Sequence, residues 1–314
     1  MSLDVKRINK NFGANHVLKD VSFTAKQGAA LGLLGRNGSG KTTTIRIIMD
    51  IFYPDSGEVT IDGVANNKTT KRIGYLPEER GLYPKIAICD QMSYFARLRG
   101  VPANEAKKRS LYLLERLEAG EYFKKKLDTL SKGNQQKIQL AIALINDPDV
   151  IILDEPFSGL DPVNANILKS VVSEMVQKGK IVLFSSHQMS SVEEFCDDIC
   201  IINKGDIVLS GELKKIKKSY PRNRLLINPE NENYAGLAGL LKSNSAIASI
   251  TESIEPVKHG VILSLKDEKT KNQAISAIMA LEMDIDSISV IEPTLEEIFI
   301  EKAGNSEQDG GEEK

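Results

Sequence analysis

The most specific chemical pattern in the chain is the segment GRNGSGKT at residues 35–42, which fits the arrangement G-x-x-x-x-G-K-[ST]. Glycines in such a loop let the backbone wrap closely around phosphate groups and direct N–H groups at them from the start of a helix. Lys41 is placed to reach the terminal phosphate oxygens, and Thr42 is placed to bind Mg²⁺. The pattern predicts a phosphate-binding loop formed by Gly35, Arg36, Asn37, Gly38, Ser39, Gly40, Lys41, Thr42 and Thr43.

A pair of adjacent carboxylates, Asp154 and Glu155, follows the continuous apolar run Val150–Leu153. A carboxylate at the end of a buried strand is well placed to hold Mg²⁺ through water, and we expect Asp154 to do this. Glu155 is the candidate general base that polarises an attacking water molecule. The alternative interpretation is an acidic turn that merely closes a strand, but the phosphate-binding loop in the same chain favours a catalytic pair.

The elements around both motifs predict an α/β fold. Residues 29–35 have the pattern of a strand that leads into the loop, and residues 41–50 have the length and the apolar side of a helix. Val150–Leu153 indicates a strand that is buried on both faces. The predicted elements that follow are helix 163–178, strand 180–185, helix 190–196 and strand 199–202. This alternation favours a mostly parallel sheet with helices on both faces.

A shift in charge marks the start of a second unit. The overall net charge is −2, but residues 1–218 hold an excess of six basic side chains and residues 219–314 an excess of eight acidic ones. Beyond this point the order of elements is βαββαβα, with residues 246–253 predicted as a strand, and it resembles a ferredoxin-like unit. The polar, acidic segment 305–314 is predicted to be disordered.

Composition excludes several classes of protein. Hydrophobic residues make up 41% and charged residues 27% of the chain, which is a globular balance. No apolar run approaches the ~18–20 residues that cross a bilayer. Residues 1–13 lack the apolar segment of a secretory signal, so we expect a cytosolic chain. Cys196 and Cys200 lack the partners of a zinc site and are expected to be buried thiols. The distribution of charge does not indicate nucleic-acid binding, which requires a concentrated basic face.

Several further motifs resemble, in order, those of the ATP-binding-cassette (ABC) ATPases, the motor subunits of ABC transporters. Residues 130–134 (LSKGN) and the helical segment after them are similar to the signature loop and helix of this family. Residues 158–161 (SGLD) are similar to its D-loop, and His187 is similar to its switch histidine. Phe12 stands where an aromatic side chain stacks on adenine in the family. The resemblance covers residues 1–218.

Two features depart from the family pattern. The signature usually reads LSGGQ, whereas this chain has Lys132 and Asn134. It keeps Ser131 and Gly133, which in the family contact the γ-phosphate bound to the opposite subunit. Glu78 replaces the glutamine of the Q-loop, which places an anion near the expected Mg²⁺. The candidate metal contacts are Thr42, Glu78 and Asp154.

The resemblance implies a P-loop ABC ATPase domain over residues 1–218, with a mixed sheet core and a helical subdomain at about 86–146. It adds a small accessory α+β domain of ferredoxin-like type at 219–304. The implied activity is hydrolysis of ATP with Mg²⁺ in a head-to-tail dimer. The implied catalytic residues are Lys41, Glu155 and His187, and the implied nucleotide contacts outside the loop are Phe12, Ser131, Gly133 and Asp161.

Three segments narrow the resemblance to the ATPases of ABC-2-type bacterial exporters, the group that includes the sodium-extruding exporters. They are PEERGLYP at 77–84, LSKGNQQK at 130–137 and PTLEEIFIEKAG at 293–304. A separately encoded membrane permease is then the implied partner, with the chain at the cytoplasmic face of the membrane and no nucleic-acid partner. The alternatives are a soluble ABC switch that acts on ribosomes or DNA, and a ligand-sensing C-terminal unit. Sodium, a drug, a peptide and a lipid all stay open as the exported substrate.

Overall fold

The structure is a computed structural model, and it describes residues 1–79, 81–230, 233–281 and 283–308. The chain divides into two units. The first is formed by Met1–Leu213 together with the helix that begins at Leu295, and the second by Lys214–Thr294. The last helix therefore belongs to the first unit. This assignment differs from the prediction, which places residues up to 304 in an accessory domain at 219–304.

The strands of the first unit are, in chain order, β1 (Ser2–Phe12), β2 (Asn15–Lys26), β3 (Ala30–Leu34), β4 (Ser56–Ile61), β5 (Val64–Ala65), β6 (Ile73–Leu76), β7 (Val150–Asp154), β8 (Ile181–Ser186), β9 (Asp198–Asn203) and β10 (Asp206–Glu212). Its helices up to the division are α1 (Lys41–Ile48), α2 (Ile88–Leu98), α3 (Ala103–Arg116), α4 (Lys132–Leu144), α5 (Pro162–Gln177) and α6 (Met189–Phe195). A short helix, α7 (Leu213–Lys218), follows at the division itself.

A six-stranded sheet in the order β10-β9-β3-β8-β7-β6 forms the centre of the first unit. All its neighbouring strands are parallel except β10, which runs antiparallel to β9. Every residue of β3, β7 and β8 is buried, because helices and the second sheet cover both faces. The α/β prediction is thus confirmed. Since parallel strands end at the same edge, Leu34 lies beside Ser186 there, and Asp154 lies beside Ser185.

The second sheet of this unit has the order β2-β1-β4-β5 and is antiparallel. Its inner face shares one hydrophobic core with the central sheet, in which Leu3, Ile8 and Ile152 are fully buried. The helices α2, α3 and α4 pack on one another, within the range of about 86–146 where a helical subdomain is predicted. Cys196 and Cys200 are buried, as predicted, and burial raises the pKa of Cys200 to about 12.

The second unit is a four-stranded antiparallel sheet with helices. Its elements are β11 (Arg224–Pro229), α8 (Tyr234–Ser243), α9 (Ser245–Ile250), β12 (Thr251–Val257), β13 (Gly260–Leu265), α10 (Lys271–Met279) and β14 (Ile285–Ile291). The order β12-β13-β11-β14 interleaves two βαβ halves and fits the ferredoxin-like prediction. The prediction of a strand at 246–253 is wrong for residues 246–250, which belong to α9. Asn244 accepts hydrogen bonds from the N–H groups of Ala246 and Ile247, and this cap starts α9 instead.

The last helix, α11 (Leu295–Gln308), extends beyond the predicted end of ordered structure. Residues 305–308 were predicted to be disordered but are its final turn, because lengthening an established helix is much easier than starting one. Residues 309–314 of that predicted tail lie outside the described residues. None of the described helices is both long and apolar enough to span a membrane.

Candidate active site

The phosphate-binding loop joins the buried strand β3 to helix α1, as its sequence pattern predicts. Gly38 and Gly40 have φ angles of 78° and 115°, in the left-handed region that favours glycine. A Cβ atom on Gly35 would lie 2.3 Å from the carbonyl oxygen of Ile202 and 2.4 Å from Ser39 Oγ, so a larger residue does not fit. These glycines hold the loop close to the end of the sheet, with its N–H groups at the start of α1.

A cavity of about 290 Å³ lies beside this loop. Most of the predicted site residues line it, namely Asn37, Gly38, Gly40, Lys41, Thr42, Thr43, Glu78, Asp154 and Glu155. Val17 of β2 also lines it, and sequence reasoning missed this residue because a single valine in a strand carries no chemical signal. The structure therefore brings both sequence motifs and the Q-loop position into one cavity.

Lys41 is buried at this cavity, with only 6% of its surface exposed. Its Nζ donates hydrogen bonds to the carbonyl oxygens of Gly35 (2.8 Å) and Arg36 (3.3 Å) and lies 4.0 Å from Glu155 Oε1. Burial lowers the pKa of Lys41 from its ordinary value, and the nearby carboxylates, Glu155 foremost, oppose that shift. The loop thus holds a buried cation whose hydrogen-bond acceptors are the neutral carbonyls of Gly35 and Arg36, which suits it to bind phosphate.

Glu155 directly follows the last residue of β7 and is hydrogen-bonded to the end of β8. Its backbone is left-handed (φ 50°), which is uncommon for a residue other than glycine. Its N–H donates to the carbonyl oxygen of Ser185 (3.2 Å), and its Oε1 lies 2.9 Å from His187 Nδ1. Burial raises the pKa of Glu155, and the hydrogen bond and charge of His187 oppose the shift. A buried carboxylate held by a histidine and facing Lys41 is suited to accept a proton.

Asp154 is buried and has one unsatisfied oxygen. Ser185 Oγ donates to Asp154 Oδ1, while Oδ2 has no hydrogen-bond partner among the described residues. Burial raises the pKa of Asp154, and the Ser185 hydrogen bond and the charge of Lys41 oppose the shift. An unsatisfied buried carboxylate oxygen is costly, so this atom fits a cation or its water ligands. Sequence reasoning missed Ser185, although its place two residues before His187 could have pointed to it.

Protein side chains alone do not form a closed metal site here. Among the described residues, no group of three or more His, Cys, Asp or Glu side chains is arranged to hold a metal ion. Thr42, Glu78 and Asp154 nevertheless all line the cavity beside the loop. This open arrangement fits Mg²⁺, which keeps several water ligands and is commonly bound through one or two carboxylates plus phosphate oxygens.

The signature and D-loop residues lie next to each other but do not line the cavity of their own chain. Ser131 accepts from the N–H of Asn134 (3.4 Å) and caps α4. Asp161 accepts from the N–H of Asn164 (3.0 Å) and caps α5. A Cβ atom on Gly133 would lie 2.8 Å from Asn164 Nδ2, so the starts of the two helices pack together.

Phe12, the predicted adenine contact, lies at the end of β1 in the first hairpin. Its ring packs edge-on against Phe52, with 5.6 Å between ring centres, and nearly half of its surface is exposed. It does not line the cavity, although Val17 on the partner strand does. The structure therefore places Phe12 at the surface on the same hairpin, outside the cavity itself.

Comparison with known proteins places these features in a family. Residues 18–158 match the family described as ABC transporter, and residues 211–303 match the family described as ATP-binding protein DrrA1-3-like, C-terminal domain. The uncharacterized ABC transporter ATP-binding protein YhaQ of Bacillus subtilis is 40% identical over 303 residues, which are 96% of this chain and 98% of that protein.

Two further similarities extend this result. The linearmycin resistance ATP-binding protein LnrL of Bacillus subtilis is 30% identical over 312 residues, which are 98% of this chain and 100% of that protein. Among solved structures, an ATP binding subunit of an ABC transporter has a TM-score of 0.65 and 30% identity, and the match covers 70% of this chain and 93% of that one. The similarity to YhaQ and LnrL thus extends through both units, whereas this solved structure matches only part of the chain.

Proposed function

This chain belongs to the family of ABC transporter ATP-binding proteins, and we propose that it is the ATP-hydrolysing subunit of an ABC-2-type exporter with a separate membrane permease. The observation that carries the catalytic part is the 2.9 Å contact between Glu155 and His187 beside Lys41. The similarity to LnrL, a linearmycin resistance ATP-binding protein, covers the whole length of that protein and supports export. The match of the C-terminal region to the DrrA1-3-like family supports the same assignment.

In the proposed reaction, the side chains position ATP and water rather than form a covalent intermediate. Lys41 neutralises charge on the terminal phosphate, and Glu155 polarises the attacking water as general base. His187 holds the Glu155 carboxylate through Nδ1, which leaves its Nε2 atom for the phosphate. Thr42, Asp154 and Glu78 would hold Mg²⁺, which neutralises phosphate charge when bound.

A second copy of the chain completes the proposed site. Ser131 is exposed at the start of helix α4, where N–H groups and the helix dipole favour an anion. Neither Ser131 nor Gly133 lines the cavity of its own chain. Their resemblance to phosphate-contacting signature residues therefore supports contact with the ATP of the opposite subunit.

Glu78 provides a test of the proposed Mg²⁺ contact. We expect Glu78→Gln to hydrolyse ATP still, but with a higher Mg²⁺ concentration for half-maximal rate, because an amide oxygen attracts the cation less strongly than a carboxylate. The measurement is the ATPase rate during an Mg²⁺ titration at fixed ATP. The exposed Glu58, outside the cavity, provides the control Glu58→Gln. An Mg²⁺ dependence of Glu78→Gln identical to that of the wild type would remove Glu78 from the metal site.

An exposed apolar patch in the segment that follows Glu78 supports docking of a permease. It consists of Tyr83, Ile86, Tyr94 and Leu98, each exposed by 44% or more. The segment that carries the patch begins just after Glu78, which lines the cavity. Gln91 of α2 fixes the backbones of Tyr83 and Ile86 through hydrogen bonds of 2.9 Å. A partner on this patch would therefore contact a segment that is continuous with the ATP site.

Membrane attachment tests the proposed permease. The chain is co-expressed with a candidate multi-span permease, and the amount of the chain in washed membranes is measured. We expect Tyr94→Glu to lower it about tenfold, because a charge is placed in the apolar patch, while the ATPase rate of the isolated chain changes less than about twofold. The matched control is Tyr53→Glu, which alters an exposed tyrosine outside the patch. Equal attachment of wild type and Tyr94→Glu would exclude this docking surface.

A further inference from the structure

The C-terminal helix α11 packs on the ATPase unit, although 81 residues of the other unit precede it in the chain. Leu295 and Ile298 are fully buried and Phe299 is 3% exposed, whereas Ile300 is 59% exposed. The buried side of the helix contacts α6 and β10. This apolar face therefore has a defined partner, and its position next to α6 puts it close to the residues that follow His187.

Phe299 connects this helix to the phosphate-binding loop. The Arg36 guanidinium lies over the Phe299 ring, with 5.8 Å from its Cζ to the ring centre. The carbonyl oxygen of Arg36 accepts hydrogen bonds from Lys41 Nζ (3.3 Å) and from the N–H of Ser39 (3.1 Å). A cation over an aromatic face is attracted to it and loses freedom. The ring contact thus restrains a loop residue whose backbone holds the phosphate-binding lysine.

Helix α6 links α11 to the other half of the active site. Glu193 of α6 accepts a hydrogen bond from the N–H of Leu295 at 3.3 Å, which satisfies a free N–H at the start of α11. On another side of α6, Phe195 packs against Phe157 and Phe184, with ring centres 6.2 Å and 5.7 Å away. Phe157 lies two residues after Glu155 in the chain. Through α6 the last helix is therefore connected to Phe157 and Phe184, which lie two and three residues from Glu155 and His187 in the chain.

We propose that Phe299 is a positioning residue of the ATPase: from α11 it holds Arg36 and thereby keeps the phosphate-binding loop in its binding conformation. A loop that is ordered before the nucleotide arrives loses less conformational freedom on binding, so affinity is higher. Phe299 touches no reacting atom, and its effect falls on nucleotide affinity more than on the chemical step. The proposal depends on ATP binding and not on export. The role of Phe299 can therefore be contradicted while the proposed export function stands, and the reverse also holds.

Nucleotide affinity of Phe299 variants tests the proposal. Phe299→Leu keeps the apolar packing but removes the aromatic face, and we expect it to raise the dissociation constant for ADP and the KM for ATP by about threefold. We expect kcat to change less than twofold and the melting temperature to stay within about 2 °C. Phe299→Tyr keeps the aromatic ring, and we expect it to bind ADP with the affinity of the wild type. The matched control Ile300→Leu, on the exposed side of the same helix, changes neither constant.

Arg36 variants show whether Phe299 acts through this contact and do not disturb the core, since Arg36 is exposed. Arg36→Met is expected to weaken ADP binding as much as Phe299→Leu does, and combining both changes is expected to weaken it no further. The proposal is overturned if Arg36→Met leaves ADP affinity unchanged or if the two effects add. It is also overturned if Phe299→Leu binds ADP like the wild type, or if Phe299→Tyr is as weak as Phe299→Leu.

Discussion

Replacing Glu155 with glutamine is expected to slow ATP hydrolysis by ~100-fold or more while ATP binding survives. Glutamine keeps the size of the side chain and an oxygen for the 2.9 Å contact with His187, but it does not accept a proton from water. Because Glu155 is buried and Ser185 fixes its backbone, the substitution alters chemistry more than shape. Single-turnover hydrolysis and ATP binding, measured on the same preparation, separate the two effects.

The matched control for this variant is Glu58→Gln, an exposed glutamate that pairs with Lys6 away from the cavity. It is expected to hydrolyse ATP at the wild-type rate. A Glu155→Gln variant that keeps more than a tenth of the wild-type single-turnover rate would contradict the role of Glu155 as the base.

Replacing Lys41 with alanine is expected to lower hydrolysis by ~100-fold or more, because the terminal phosphate loses its main positive partner. This variant should differ from Glu155→Gln in also weakening nucleotide binding. The reason is that the Lys41 ammonium lies within the loop and lines the cavity that would receive the phosphates. Steady-state hydrolysis and ADP titration together measure both losses.

The control for Lys41→Ala is Lys6→Ala, which removes an exposed lysine of strand β1. It is expected to leave both quantities unchanged. Activity of Lys41→Ala within twofold of the wild type would remove Lys41 from the mechanism.

The main parts of the cavity could be predicted from the sequence because each is a short contiguous motif. The backbone of the phosphate-binding loop depends on its own glycines, and Asp154 directly ends an apolar strand. The parallel order of the central sheet then brings the two motifs to one edge, as the alternation of strands and helices predicts. Family, fold class and ATPase activity followed from the same motifs.

Other features depend on contacts between distant segments and had no local signal. Ser185 supports both carboxylates only because β7 and β8 pair in one particular register. The apolar side of α11 predicts a buried helix, but it does not indicate which surface covers Leu295 and Phe299. The helix α9 was missed because the cap formed by Asn244 outweighs the strand-like pattern of the residues after it.

The oligomeric state of Glu155→Gln with MgATP tests the two-chain ATP site most directly. Uncleaved ATP should hold two chains together, so light scattering is expected to show a shift from monomer to dimer when MgATP is added. Ser131→Arg on the same background places a bulky cation at the exposed start of α4 and is expected to prevent the shift, with the helical signal in circular dichroism unchanged. Dimerisation that persists in the double variant, or a Glu155→Gln variant that stays monomeric with bound ATP, would contradict a site completed by the opposite chain.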